Sequence, residues 1–113
     1  MSHITTHVLD VSVGRPAANV SVILEMQSGR GEWAEAAQGT TDADGRLREW
    51  AAAKTLPAGI YRLIFDTGAY FAARKIASLY PQVVIVFEVG DAQEHYHIPL
   101  LLSPFGYSTY RGS

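Results

Sequence analysis

Apolar and polar residues alternate along most of this chain with a period of two, which is typical of β-strands that bury one face. The alternation is clearest at residues 4–10, 20–26, 59–66 and 94–102, and it is weaker at residues 32–40. Each of these runs is the length of an ordinary strand in a small domain. The pattern therefore predicts a protein built mainly from short β-strands.

Two segments depart from the alternation. Residues 83–87 form a continuous β-branched run, which favours a strand covered on both faces. Residues 71–80 carry apolar side chains at helical spacing and are followed by Pro81, so one short helix is predicted there. Thr67 and Gly68 are interpreted as the break between the preceding strand and this helix.

The connections between the predicted elements are short and rich in turn residues. The predicted elements are seven or eight strands and one helix, with no internal repeat, linker or chain of βαβ crossovers. A single all-β sandwich domain covering residues 1–113 is the architecture that this arrangement predicts.

The period of two also places chemistry on the outer faces of the first and last strands. His7 and Leu9 lie opposite the predicted core face of the first strand, and His97 and Leu101 do the same in the last. Apolar residues on both faces of a strand imply a second covering surface. A partner subunit would supply that surface, and the histidines would then line the joint.

Composition excludes several classes of protein. The chain of 113 residues has no cysteine, so neither a disulfide framework nor a thiolate site is possible. A net charge of -2 provides no basic surface for nucleic acid or anionic lipid. No apolar run approaches the ~20 residues that span a bilayer, and the N-terminal residues do not resemble a signal peptide. We expect a cytoplasmic protein without nucleic-acid or membrane partners.

One turn motif has two interpretations. Asp42-Ala43-Asp44-Gly45 resembles the start of a calcium loop, but Arg46 follows where further oxygen ligands are needed. Asp-Gly is foremost a tight-turn signal. The motif is therefore interpreted as a turn that projects Arg46 at the start of a short strand.

Several segments together resemble the 5-hydroxyisourate hydrolases, the transthyretin-like enzymes of urate degradation. The likeness runs essentially from end to end, and it rests on residues 7–10 with 14–17, on 44–46, on 95–104 and on 106–113. The terminal Tyr110-Arg111-Gly112-Ser113 is its most specific mark. The resemblance implies a sandwich of two four-stranded sheets and a homotetramer, a dimer of dimers, with the active site in the channel between the dimers.

The resemblance also assigns site residues and a reaction. The catalytic positions fall on His7, Arg46, His97 and Ser113, and substrate binding falls on His7, Arg46 and Tyr110. The implied reaction is the hydrolytic opening of the six-membered ring of 5-hydroxyisourate to 2-oxo-4-hydroxy-4-carboxy-5-ureidoimidazoline. Water attacks a ring carbonyl, and neither metal nor cofactor takes part.

The residue types suit these roles. Imidazole moves protons near neutral pH, so either His7 or His97 could be the base; we prefer His97 for activating water, with His7 as its partner. The Arg46 guanidinium suits an electron-rich purine derivative and a developing oxyanion. Ser113 offers a hydroxyl and, as the last residue, a carboxylate that could orient an imidazole.

Two rival interpretations remain open. His95, His97 and His7 could share a metal ion, although Arg46 would then place a positive charge beside it. A non-catalytic, transthyretin-like carrier of small molecules is the alternative from another class; Arg46 and the histidines argue against it. His95 is interpreted as structural or supporting, and His3 as a surface residue.

Overall fold

The computed structural model describes residues 4–50 and 56–113, so the predicted surface position of His3 lies outside the described residues. The elements, in chain order, are β1 (Ile4–Asp10), β2 (Arg15–Pro16), β3 (Ser21–Gln27), β4 (Trp33–Thr40), β5 (Arg46–Leu47), β6 (Gly59–Phe65), α1 (Thr67–Ala73), β7 (Val83–Val89), β8 (Tyr96–Ser103) and β9 (Gly106–Thr109).

The strands form two sheets, as the predicted all-β sandwich requires. One sheet is antiparallel, with the order β4-β3-β6-β7. The other has the order β2-β1-β8-β9, and β5 also pairs with β1. The two-residue strands β2 and β5 lie on the edge of β1 that β8 leaves open, so together they occupy the place of one strand. The described part of this sheet therefore has five strands where four were expected.

The inner faces predicted from the alternation are confirmed. The apolar side chains that alternate along β1, β3, β6 and β8 are buried between the two sheets. They include Ile4, Val8, Val22, Leu24, Tyr61, Leu63, Phe65, Ile98, Leu100 and Leu102. Burial of each such side chain contributes roughly 1.5–3 kcal/mol to folding. This core holds the five-stranded sheet in place and leaves its outer face free for the site.

The helix lies earlier in the chain than the predicted residues 71–80. Helix α1 begins at Thr67, where the Asp66 side chain accepts a hydrogen bond from the backbone N–H of Ala69 at 3.4 Å. The helix ends after Ala73, and Lys75 adopts a left-handed φ of 59° that a continuing helix does not allow. Strand β6 ends at Phe65, so the predicted break is present, but the Asp66 cap starts the helix at Thr67 and places Thr67 and Gly68 inside it.

Strand β7 is covered on one face only. Val83, Ile85 and Val89 are buried against the core, but Val84 is 36% exposed and Val86 is 58% exposed. Within the chain, the expectation of cover on both faces is therefore wrong. The cause is the architecture, because a sandwich of two sheets covers only the inner face of each sheet, and Val84 and Val86 lie on the outer face of β7. In the described residues, no helix is long and apolar enough to cross a membrane.

Candidate active site

Strand pairing brings the outer-face residues of β1 into contact with those of β5 and β8. The parallel register between β1 and β8 places Thr5 opposite His97. The antiparallel register between β1 and β5 places His7 opposite Arg46. Residues that are far apart in the sequence therefore meet on one outer surface of the five-stranded sheet.

The Thr5 hydroxyl lies between two imidazole rings. Its Oγ1 is 2.8 Å from Nδ1 of His97 and 2.9 Å from Nε2 of His95. The ring centroids of the two histidines are 6.2 Å apart. Thr5 itself is 5% exposed, so this hydroxyl has little access to water. The two rings are held by one buried group.

The turn before β5 positions Arg46. The Asp42 carboxylate accepts hydrogen bonds from the backbone N–H of Asp44 at 2.9 Å and of Arg46 at 3.0 Å. The bond from the Arg46 backbone is the main reason that the pKa of Asp42 lies below its ordinary value. Gly45 has a φ of 75°, and a Cβ there would clash with the Val8 carbonyl oxygen. The turn is fixed by a carboxylate and by a glycine.

The same turn fixes the orientation of His7. Nε2 of His7 lies 2.9 Å from the carbonyl oxygen of Asp44. A carbonyl oxygen can only accept, so this nitrogen carries a proton and donates it. The Nε2 lone pair of His7 is therefore not available as a base in this arrangement.

A cavity of about 230 Å³ opens beside these groups. Its lining residues are Thr5, Thr6, Arg46, Arg48, His95, His97 and Ser113. The structure thus brings together three of the predicted catalytic residues, Arg46, His97 and Ser113. His7 lies next to the cavity, opposite Arg46 in the strand register.

His97 is neutral more readily than an ordinary histidine. Partial burial is the main cause of its lowered pKa, and the neighbouring His95, His7, Arg46 and Arg48 lower it further. In residues 4–50 and 56–113, neither guanidinium at this cavity has a hydrogen bond or an ion pair to an acidic side chain. The cavity therefore combines a neutral imidazole with two guanidinium groups that make no direct contact with an acidic side chain, although the Asp42 carboxylate lies within electrostatic range of both.

The C-terminal residues close one side of the site. The Gly112 N–H donates to the carbonyl oxygen of His97 at 2.8 Å, which forms an isolated β-bridge. A Cβ at Gly112 would lie 2.5 Å from Cδ2 of the His97 ring. This close approach places the exposed Ser113 at the cavity.

The structure places Tyr110 elsewhere. It is 56% exposed and lines a second cavity, of about 280 Å³, at the open edge between β7 and β9. Strand β9 ends at Thr109, one residue before Tyr110. Within this chain, Tyr110 is not in the cavity that holds His97 and Arg46.

Two residues of the site were not singled out by the sequence. Thr5 shares the outer face of β1 with His7, and Arg48 follows Arg46 by two residues, so the period of two contains a signal for both. The contact between Thr5 and His97 depends on the parallel pairing of β1 with β8, which a single sequence does not reveal.

The three histidines do not form a metal site in the described residues. No group of three histidine, cysteine, aspartate or glutamate side chains in this part of the chain has an arrangement that could hold a metal ion. The nitrogens of His95 and His97 that face each other are both engaged by Thr5. Their geometry is that of a hydrogen-bonded chain.

Fold and site together define a small β-sandwich with an imidazole and guanidinium pocket on the outer face of one sheet. The chain belongs to the HIUase/Transthyretin family, whose family model matches residues 4–112. It is 46% identical to the 5-hydroxyisourate hydrolase of Caulobacter vibrioides, over the full length of both chains. The family model and this relative confirm the family assigned from the sequence.

Solved structures give the same result. The 5-hydroxyisourate hydrolase of Klebsiella pneumoniae has a TM-score of 0.85 and 42% identity, and the match covers all of both chains. Sea bream transthyretin in complex with thyroxine has a TM-score of 0.88 and 32% identity, and the match covers 96% of this chain and 93% of that one. The transthyretin-like sandwich is confirmed.

Proposed function

We propose that this protein hydrolyses 5-hydroxyisourate to 2-oxo-4-hydroxy-4-carboxy-5-ureidoimidazoline, a step of urate degradation. One observation carries the proposal: a neutral, partly buried imidazole shares a small cavity with two guanidinium groups. The imidazole activates water, and the guanidinium groups attract an electron-rich purine derivative. The names of the enzymes that are similar over the whole chain agree with this reaction.

The proposed chemistry proceeds by addition of water to a ring carbonyl. His97 takes a proton from water as the oxygen bonds to the carbonyl carbon. The Arg46 guanidinium stabilises the negative charge that develops on the carbonyl oxygen. The bond from that carbon to the ring nitrogen then breaks, and the proton moves from the His97 imidazolium to the departing nitrogen. No net proton is gained or lost by the protein.

His7 has a different role from His97 in this scheme. Its Nε2–H is held by the Asp44 carbonyl oxygen, so it is oriented as part of the turn that bears Arg46. We assign it to orientation of the substrate and of Arg46, and to proton transfer through its other nitrogen. Ser113 lines the cavity and offers a hydroxyl to the substrate or to an imidazole.

We also propose a homotetramer, a dimer of dimers. Leu9 and Leu101 pair side by side on the outer face of the site-bearing sheet and are only half-buried. The edge strands β7 and β9 carry the exposed Val84, Val86 and Tyr107. A second chain would cover both surfaces and could bring its own Tyr110 towards a site, so the role of Tyr110 in substrate binding stays a prediction.

The cytoplasmic location also stays a prediction.

The test is an absorbance assay with freshly prepared 5-hydroxyisourate. We expect its decay to accelerate in proportion to protein concentration, and this acceleration should survive incubation with a metal chelator. Loss of turnover on chelation, with recovery on adding zinc, would favour a metal enzyme. Binding of the compound without faster decay would instead favour the carrier that sea bream transthyretin exemplifies.

A further inference from the structure

Two histidines share a single threonine hydroxyl at the edge of the cavity, and this limits where their protons lie. A hydroxyl has one proton to donate and lone pairs with which to accept. Thr5 Oγ1 is within hydrogen-bond distance of Nδ1 of His97 and Nε2 of His95. It can donate to only one of these two nitrogens, so the other nitrogen must carry a proton and donate to it.

The free nitrogen of His97 decides which arrangement is useful. Nε2 of His97 has no hydrogen-bond partner in the described residues. If Thr5 donates to His97, the ring proton lies on Nε2 and that nitrogen cannot accept a proton from water. If His97 instead donates to Thr5, Nε2 keeps its lone pair.

Local charge favours the second arrangement. The bare nitrogen is the negative end of the imidazole dipole, and the cavity beside it contains the cationic side chains of Arg46 and Arg48. A ring N–H on this side would share the cavity with two guanidinium groups, whose positive charge disfavours it. His7 does not compete as a base at its own Nε2, because the Asp44 carbonyl oxygen holds a proton there.

We propose that Thr5 is a positioning residue: its hydroxyl donates to Nε2 of His95 and accepts from Nδ1–H of His97, which leaves Nε2 of His97 as a base. This inference rests on the proposed function for its catalytic consequence. Thr5 does not touch the reacting atoms, and His95 acts as the acceptor that turns the hydroxyl. The lowered pKa of His97 agrees with this, because the ring must be neutral to have a free lone pair.

The decisive comparison is between Thr5→Val and Thr5→Ser. Valine has nearly the shape of threonine but no hydroxyl, whereas serine keeps the hydroxyl and loses a methyl group. We expect Thr5→Val to lower kcat by about tenfold or more with little change in KM, since it would disturb the base, and a general base typically contributes 10²–10⁴-fold. Thr5→Ser is expected to retain kcat within a few-fold of the wild type.

Thr67→Val is the matched control for loss of a buried threonine hydroxyl. Thr67 is 1% exposed and donates to the Tyr80 carbonyl oxygen at 3.3 Å, on the helical side of the molecule. This variant should lower the thermal midpoint and leave kcat and KM unchanged. A fall in kcat for Thr67→Val as large as that for Thr5→Val would overturn the proposal, because both effects would then follow from stability.

A second measurement does not depend on turnover. Long-range ¹H–¹⁵N NMR spectra of the imidazole rings report which nitrogen carries the proton. We expect the wild type and Thr5→Ser to show His97 protonated at Nδ1, and Thr5→Val to show a shift towards the Nε2–H form, since the partner of one ring nitrogen sets the tautomer. His97 protonated at Nε2 in the wild type at neutral pH would overturn the proposal.

Failure of this inference and failure of the proposed function are distinguishable. If the wild type hydrolyses 5-hydroxyisourate and Thr5→Val does so equally well, the role of Thr5 is wrong and the function stands. If the wild type shows no turnover, the function is wrong, and the NMR spectra still decide the tautomer.

Discussion

His7 and His97 differ in which ring nitrogen they leave free. His7 is bound through Nε2 to a backbone carbonyl oxygen, and His97 is bound through Nδ1 to a side-chain hydroxyl. A carbonyl oxygen dictates the position of the proton, whereas a hydroxyl can act in either direction. The roles of the two rings are therefore unequal, although both were candidates for the base in the sequence.

Substitution of the site residues tests their roles directly. His7→Gln, His97→Gln and Arg46→Lys are each expected to lower kcat/KM by ~100-fold or more, because each removes a proton carrier or an oriented donor. Their side chains lie outside the core, so thermal midpoints should move little. Assays at matched protein concentration, with circular dichroism melts, measure both quantities.

His95→Gln is the control for this series. The side-chain amide that replaces the ring can still accept the Thr5 proton, so the loss in kcat/KM should be under tenfold. A loss as large as that of His97→Gln would show that His95 itself carries the chemistry or that a metal ion is present.

The pH dependence of the reaction should reflect the lowered pKa of His97. Its burial and its positive neighbours keep the ring neutral below the ordinary imidazole pKa of about 6.5. The acid limb of kcat/KM is therefore expected below pH 6.5, and Arg48→Gln should move it upward. A wild-type limb at or above pH 6.5 would contradict the assignment of His97 as the base.

The same residue has a consequence for stability. Between the lowered pKa of the folded protein and about 6.5, the unfolded chain binds more protons at His97 than the folded chain does. The free energy of unfolding therefore rises with pH through this window, and it falls as the pH drops below about 6.5. Denaturant titrations of the wild type and His97→Gln should show the difference only at the acidic end.

At the scale of elements, backbone contacts position the site as much as side chains do. The turn at Asp42 positions Arg46 and His7. The β-bridge between His97 and Gly112 brings the Gly112 backbone close to the His97 ring. Both contacts require a glycine. At Gly45 the need is a positive φ, and at Gly112 it is the space that a Cβ would fill.

Gly112→Ala is expected to reduce activity without unfolding the protein. The added Cβ would lie 2.5 Å from Cδ2 of His97, so the ring must turn away from its position at Thr5. We expect kcat to fall about tenfold or more, since a small misplacement of a catalytic group is costly. Kinetics and a thermal melt are sufficient to test this.

Gly90→Ala is the matched control, because nothing lies within 4 Å of a Cβ there. It should leave kcat and the melt unchanged. Equal activity of Gly112→Ala and the wild type would show that the ring tolerates the added methyl group and that the bridge is not needed for catalysis.

The elements also show why parts of the structure could be predicted. The inner faces of β1, β3, β6 and β8 follow from alternation alone, because burial enforces it over seven or eight residues. The helix was misplaced because the Asp66 cap lies outside the apolar pattern. The pairing of Thr5 with His97 depends on which strands become neighbours, and local pattern does not encode that.

At the scale of the whole molecule, the sandwich leaves apolar surface that one chain does not cover. Phe105 is 67% exposed and Tyr107 is 44% exposed, in addition to the valines of β7. The apolar composition of 83–87 was correctly noted from the sequence, but this chain by itself covers only one of the two faces that were expected to be covered. The sequence reports apolarity, whereas only the fold shows which side of a strand faces the outside.

The assembly is expected to be a tetramer at micromolar concentration. Covering Leu9 and Leu101 together with the edges of β7 and β9 removes exposed apolar area, which favours association. Sedimentation velocity or light scattering measures the mass, and specific activity should fall on dilution if subunits separate. A fully active monomer would contradict an interface site.

The parallel pairing of β1 with β8 has a consequence for synthesis on the ribosome. Thr5 and His97 are 92 residues apart, so β1 leaves the ribosome long before its partner is made. At ~5–20 residues per second, that interval is roughly 5–20 s. The antiparallel pair of β3 and β4, which are consecutive in the chain, can form meanwhile, but the face that bears the candidate site cannot. In a nascent chain, the β3–β4 pair can therefore form first, and the edge of β1 that binds β8 stays unpaired until the last strands are made.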